Sequence, residues 1–193
     1  MYSNRYAQVR TFIETVVAKV VELLMNDLGL LILRLVVGLT LTAHGAQKLF
    51  GWFGGPGIEG WTGILSQMGV RPARVWAWLH ALMEFVGGLM LGIGLLTPLA
   101  AAGLASVMVM AIVKVHWKNG FFNKNGGIEF ALAMLGGMIA IGLSGPGAYA
   151  LDPQSLFGWS STALFLVALL LGLLVDSLVL ASTAVGTGQR HTA

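Results

Sequence analysis

The sequence contains five apolar runs, each close to the length of chain that crosses a lipid bilayer. They cover about residues 28–50, 73–96, 98–117, 127–144 and 156–181. About 20 residues of α-helix are needed to span ~30 Å of hydrocarbon. Only 10% of the 193 residues are charged, against roughly 25% in soluble domains. The sequence therefore predicts an all-α, polytopic transmembrane bundle with four core spans and a fifth, C-terminal span.

The N-terminal segment differs from these runs because charged residues alternate with apolar ones at helical spacing. The apolar positions include Ile13, Val16, Val17, Val20 and Leu24. This spacing predicts an amphipathic helix at the membrane surface, or one outside the bilayer that packs on the bundle. Three parts follow: an amphipathic segment (1–27), a four-helix membrane domain (28–152), and an additional C-terminal transmembrane helix with a short tail (153–193).

The connection 51–72 is long and rich in glycine, and it carries a second helical pattern. Ile58, Trp61, Leu65 and Met68 recur at helical spacing. Tryptophan is enriched where the bilayer meets water. The connection is therefore predicted to contain a short interfacial helix that caps the bundle.

Ionisable side chains interrupt the apolar runs, and most of them fall in one half of the bilayer. We call the face that holds the N-terminus side A and the opposite face side B. At 1.5 Å of rise per residue, His44, His80 and Glu84 lie about 9, 10 and 16 Å inside side B. An intramembrane charge has to pair or to face a wet cavity. We expect one buried polar site, formed by Arg34, His44, Lys48, His80, Glu84, Lys114 and Glu129.

Two other interpretations of these residues stay open at this point. A structural ion-pair network that fixes helix order would use the same side chains, and Lys48 is also typical of a charge at the end of a span. His44, His80 and Glu84 would suit a metal or haem, but no spacing aligns them, so no metal is predicted. The chain has no cysteine, which excludes thiolate zinc sites, iron–sulfur ligation and dithiol redox chemistry by this chain.

Four motifs resemble the DoxX family of small membrane proteins. They are AHGAQKLFGWFGG (43–55), EFVGGLMLGIGLLTPLAA (84–101), HWKNGFFNKNGGIEF (116–130) and GPGAYALD (145–152), together with Arg34 early in the first run. The resemblance implies a four-helix membrane domain and an association with oxidoreductase systems, since relatives include the membrane subunit of a thiosulfate:quinone oxidoreductase. The amphipathic start and the fifth run depart from the family pattern.

The resemblance and the polar residues together predict a multi-pass protein of the cell membrane that serves an oxidoreductase system. It would be a membrane subunit or accessory protein, quinone-linked or related to oxidative stress, and not a self-sufficient enzyme. A quinone would bind at an interface with a membrane or soluble redox partner protein.

The alternatives are a proton or small-solute transporter or channel, and a scaffold that anchors a soluble enzyme through 51–72 and 118–125. Basic residues are scattered singly, without the patch that phosphate binding needs, so no nucleic acid is expected. Homo-oligomerisation and membrane orientation stay open.

Overall fold

The computed structural model describes residues 2–152, 155–156 and 158–188, and nearly all of its regular structure is helical. The helices are α1 (Tyr2–Phe50), α2 (Gly57–Gln67), α3 (Ala73–Leu82), α4 (Gly88–Ile93), α5 (Thr97–Ala111), α6 (Glu129–Ser144) and α7 (Ser161–Gly188). A short antiparallel pair, β1 (Ser155–Leu156) with β2 (Trp159–Ser160), precedes α7. The predicted all-α bundle is confirmed.

Three helical segments within the described residues combine the length and the hydropathy of membrane spans. They are Ala73–Ile93, Thr97–Asn119 and Ser161–Ala181, and the apolar α6 is shorter. The second half of α1 packs among them through buried residues such as Val37 and Leu41. Large apolar side chains face outward, as in α7, where Leu170 is 68% exposed. Such a surface suits lipid.

The N-terminal segment is part of the first span's helix and does not form a separate element. α1 continues without a break through residue 27, where the sequence predicted a boundary. A helix lying flat on the membrane would need a bend at that point before the chain crosses the bilayer. Asp27 is where α1 meets the bundle, because its Oδ1 accepts a hydrogen bond from the backbone N–H of Ala148 at 2.9 Å.

The core is built around α5, whose residues are almost all buried. Ala101, Leu104 and Ala105 have no exposed surface, and they pack with Met138 of α6 and Phe165 of α7. Small and medium side chains let these helices approach closely, which replaces the hydrophobic drive that lipid does not supply. Because α5 is central, residues at its side-B end face both α3 and α7.

Two glycines of α1 bring it against the second span. A Cβ at Gly38 would lie 2.5 Å from the carbonyl oxygen of Gly88, and one at Gly45 would overlap the backbone nitrogen of Phe85. Only glycine permits this approach, since any side chain would push the helices apart. The contact at Gly45 sets the distance between the end of α1 and Glu84, which precedes Phe85.

The short helix predicted in the 51–72 connection is confirmed as α2. All four residues of its apolar stripe pack in one cluster, in which Leu65 is buried against Ala77 of α3 and Met110 of α5. The cluster also includes Val179 of α7. α2 therefore covers the side-B end of the bundle, where α1, α3 and α5 meet.

Candidate functional site: a buried ion pair beside a small cavity

The centre of the site is an ion pair between Lys48 and Glu84. The ammonium Nζ of Lys48, near the end of α1, lies 2.5 and 2.6 Å from the two carboxylate oxygens of Glu84. Glu84 is only 1% exposed, whereas the Lys48 side chain is 18% exposed. Both oxygens of the carboxylate are engaged by one cation, so this buried acid is charge-compensated, as an intramembrane ion must be.

Both the acid and a second lysine of the site lie on π-helical turns. Met83–Gly87 forms a π turn between α3 and α4 and contains Glu84, and Ile112–His116 forms another after α5 and contains Lys114. A π turn inserts one extra residue and rotates the side chains around it, and such turns are frequent at functional sites. The two turns aim their charged residues at the same space.

That space is a partly open cavity of about 40 Å³, room for a water molecule or two. Its polar lining consists of Lys48, His80, Glu84 and Lys114, and the rest of its wall is apolar or aromatic, with Trp61, Trp76, Met68 and Met110 among the residues. A mostly apolar cavity with a few convergent polar groups is typical of sites for small ligands.

Trp61 of α2 carries a hydrogen-bond donor that the described residues leave unused. Its indole Nε1 is buried, and no described residue accepts a hydrogen bond from it. The Lys48 ammonium lies 4.6 Å from the centre of the Trp61 ring, within cation–π range. A buried donor without a protein acceptor is rare and calls for a water or a ligand. Since Trp61 belongs to the cavity wall, a ligand there would contact its indole.

The two histidines take different places around the ion pair. His80 lies in the cavity wall, with its ring edge-on to Trp76 at 6.2 Å between centroids. His44 is outside the lining, and its ring packs against Phe130 of α6 at 4.9 Å. The charges of Glu84 and Lys48 nevertheless act on His44. His44 is therefore a neighbour of the ion pair that does not line the cavity.

Arg34 does not belong to this site, contrary to the prediction. It lies about four turns before Lys48 on α1, roughly 21 Å away along the helix, and is 0% exposed. Its charge interacts with that of Asp152, whose carboxylate accepts hydrogen bonds from the backbone N–H groups of Leu96 and Thr97 at 2.5 and 2.6 Å. Arg34 thus forms a second buried polar cluster on side A, too far along the helix to reach Glu84.

Glu129 also lies apart from the cavity. It is exposed, and its Oε2 accepts a hydrogen bond from the backbone N–H of Asn123 at 2.9 Å. As the first residue of α6 it closes the loop before that helix. The prediction placed it among the buried polar residues from its position in the apolar run, but its side chain lies at the surface of the bundle.

The described residues contain no group of three His, Cys, Asp or Glu side chains arranged to hold a metal ion. His80 and Glu84 line the cavity but His44 does not, so those three are not gathered around one point. Trp61 and Trp76 were not predicted as site residues. The apolar stripe of 51–72 predicted the capping helix, but nothing in the sequence indicated that an indole N–H would be left without an acceptor beside Lys48.

Comparison with known proteins agrees with this architecture. The DoxX family model matches residues 29–117. The chain is 31% identical over 127 residues to the "Putative oxidoreductase CatD" of Bacillus subtilis, which covers 66% of this chain and 87% of that protein. It is 36% identical over 130 residues to the "Uncharacterized membrane protein Rv3486" of Mycobacterium tuberculosis, with 62% of this chain and 77% of that protein covered.

No solved structure matches the chain. All four polar residues of the cavity, Lys48, His80, Glu84 and Lys114, fall inside the matched segment 29–117. The chain belongs to the DoxX family of membrane proteins.

Proposed function

We propose that this chain is a membrane subunit of an oxidoreductase system, and that its cavity receives the ring-oxygen end of a quinone. The name of the Bacillus subtilis relative supports the first part. The second part rests on one observation: a paired acid and lysine border a cavity whose wall includes Trp61, a residue with an indole N–H that has no acceptor among the described residues. Quinone oxygens accept hydrogen bonds and protons, and this cavity offers both.

The chemistry divides between this chain and a partner. Reduction of a quinone to a quinol takes up two electrons and two protons. The chain has no cysteine with which to ligate a cluster or form a redox dithiol, so the electrons come from a redox partner. Glu84 and His80 can pass protons to the ring oxygens, since both border the cavity. Lys48 holds the Glu84 carboxylate in place and balances its charge.

The small size of the cavity limits what enters without movement of its wall. About 40 Å³ holds a water or two, so the ring itself requires the wall to yield. Met68 and Met110 form part of that wall, and methionine side chains adapt readily to new shapes. α2 is bounded by Gly57 and Gly69, which both have positive φ angles, and these are points at which the cap can swing.

Tryptophan fluorescence of the full chain in lipid nanodiscs tests the proposal, because a quinone quenches an indole that it contacts. Titration with a short-chain ubiquinone or menaquinone analogue is expected to give saturable quenching in the wild type. Trp61→Phe should lose a large part of the saturable component, and Trp76, which also lines the cavity, should account for the remainder. Trp78→Phe is the matched control, since Trp78 is 42% exposed and is absent from the cavity wall.

Quenching that rises without saturation, to the same degree in both variants, would mean that the quinone only dissolves in the lipid. That result would contradict quinone binding in the cavity, and only the assignment as a membrane protein would stand. A saturable signal that depends on Trp78 and not on Trp61 would place the quinone on the outer surface of α3, which also contradicts the proposal.

A further inference from the structure

A second buried acid, Asp176, lies on α7 within the membrane. It is 7% exposed, although Leu174 and Leu178 on the same helix are 57% and 63% exposed. Its Oδ2 accepts a hydrogen bond of 2.7 Å from the hydroxyl of Ser106 on α5. α7 therefore turns this one polar residue inward, against α5, while its other faces meet lipid.

No cation compensates Asp176 among the residues that the structure describes. The ion pairs there do not include it. α5 has no charged residue, and the nearest cation beyond it is Lys114 on the π turn that follows, about 12 Å from Ser106 along the helix axis, where it borders the cavity. α6, the other helix packed on α7, has Glu129 as its single charged residue, exposed at its first turn. α7 itself carries no other charged residue.

The surroundings of Asp176 also leave little room for a metal ion. α5 and α7 approach so closely that a Cβ at Gly172 would lie 3.0 Å from the hydroxyl oxygen of Ser106. The carboxylate and one hydroxyl supply few oxygens, whereas calcium takes six to eight oxygen ligands and magnesium demands six. An ionised carboxylate with neither a cation nor a metal is costly inside a membrane, and such a group takes up a proton instead.

We propose that Asp176 and Ser106 form a proton-binding site inside the membrane, separate from the Lys48–Glu84 pair. Asp176 is then a neutral carboxylic acid at pH 7, with its proton on Oδ1 and the Ser106 hydroxyl donating to Oδ2. The site lies about one turn from the cavity, because Val107 and Val179 both line the cavity wall. It does not depend on the quinone assignment.

Infrared spectroscopy of the full chain in lipid vesicles at pH 7 tests this site directly. The difference spectrum between wild type and Asp176→Asn is expected to contain the C=O band of one protonated carboxylic acid. Ser106→Ala should shift that band to higher frequency without removing it, because the acid remains and only its hydrogen bond is lost. Glu84→Gln should leave the band unchanged.

A difference spectrum that shows only the two carboxylate bands would mean that Asp176 is ionised, and would overturn the proposal. A protonated band that vanishes on adding sodium at constant pH would replace the proton with a cation site and also contradict it. If Asp176→Asn does not fold, dicyclohexylcarbodiimide gives an independent measurement on the wild type. That reagent adds as a whole to protonated carboxyls in apolar surroundings, so mass spectrometry should find the adduct on Asp176 and not on Glu84.

Discussion

Two buried polar clusters lie at opposite ends of the first span, and they use the same types of residue for different purposes. On side A, both carboxylate oxygens of Asp152 accept hydrogen bonds from the backbone at the start of α5, and Arg34 lies nearby without any exposed surface. On side B, both oxygens of Glu84 face one lysine beside a cavity. A carboxylate whose oxygens accept hydrogen bonds from backbone N–H groups stabilises the fold. A carboxylate paired with a side chain beside a cavity can instead exchange that partner for a ligand.

This difference predicts the largest loss of stability on side A. Asp152→Ala leaves two N–H groups at the start of α5 without their acceptor and Arg34 without its nearby negative charge. We expect a loss of about 3 kcal/mol or more in the free energy of unfolding, measured by thermal or denaturant unfolding in detergent. Saturable quinone quenching should survive in the folded fraction. Stability equal to wild type would show that side A is not the structural cluster.

The corresponding change on side B should affect binding more than stability. Glu84→Ala leaves Lys48 at the cavity without its anion, at a cost of about 2 kcal/mol, because the ammonium is partly exposed and can turn toward water. Quinone affinity in the fluorescence titration should fall at least about tenfold, which is 1.4 kcal/mol. Unchanged affinity would move the ligand away from Glu84. Glu59→Ala, in the exposed pair with Arg74, is the control and should change neither quantity.

The side-B cluster depends on a close contact at one glycine, and this contact should be sensitive to the addition of a single methyl group there. Gly45→Ala places a Cβ against the backbone nitrogen of Phe85, so α1 has to move away from the turn that carries Glu84. We expect a cost of about 1–3 kcal/mol, the range for overpacking, together with weaker quinone binding. Gly29→Ala on the same helix has nothing within 4 Å and should be neutral or stabilising, by up to about 1 kcal/mol. Equal effects of the two changes would contradict the close approach.

The smallest effect is expected at Glu129, which the sequence grouped with the cavity residues and the structure separates from them. Glu129→Gln removes a charge at the first turn of α6 but keeps an oxygen that can accept the hydrogen bond from Asn123. The change should alter stability by no more than about 0.5 kcal/mol and should not alter the quinone titration. A loss of quinone binding comparable to that of Glu84→Ala would show that Glu129 does belong to the site.

Hydropathy and spacing were enough to predict the spans, the capping helix α2 and the side of the membrane that holds most polar residues. Depth along a helix follows from counting residues, and it correctly placed His80 and Glu84 in the same half as Lys48. Rotation about the helix does not follow from counting. Each of the π turns at Met83–Gly87 and Ile112–His116 inserts one residue and so changes the direction of the side chains that follow it. No sequence pattern predicted these turns.

Two other features depended on contacts between distant segments. Arg34 was grouped with Glu84 because intramembrane charges need partners, but the negative charge that acts on it is that of Asp152, at the end of the 145–152 segment, and no described residue accepts a hydrogen bond from its guanidinium. The indole of Trp61 was expected only as part of an interfacial cap, and it also borders the cavity. Both outcomes are set by how loops fold back over the bundle, which local periodicity does not encode.

The central claim is that the Lys48–Glu84 pair serves ligand binding and is not merely a helix cross-link. The most direct test replaces both partners with apolar residues, as Lys48→Met with Glu84→Leu, and titrates the same quinone analogue. Removing a buried pair together costs little stability. The double variant should therefore unfold within about 1 kcal/mol of wild type while losing saturable quenching of Trp61. A double variant that is stable and binds the quinone as tightly as the wild type would contradict the claim.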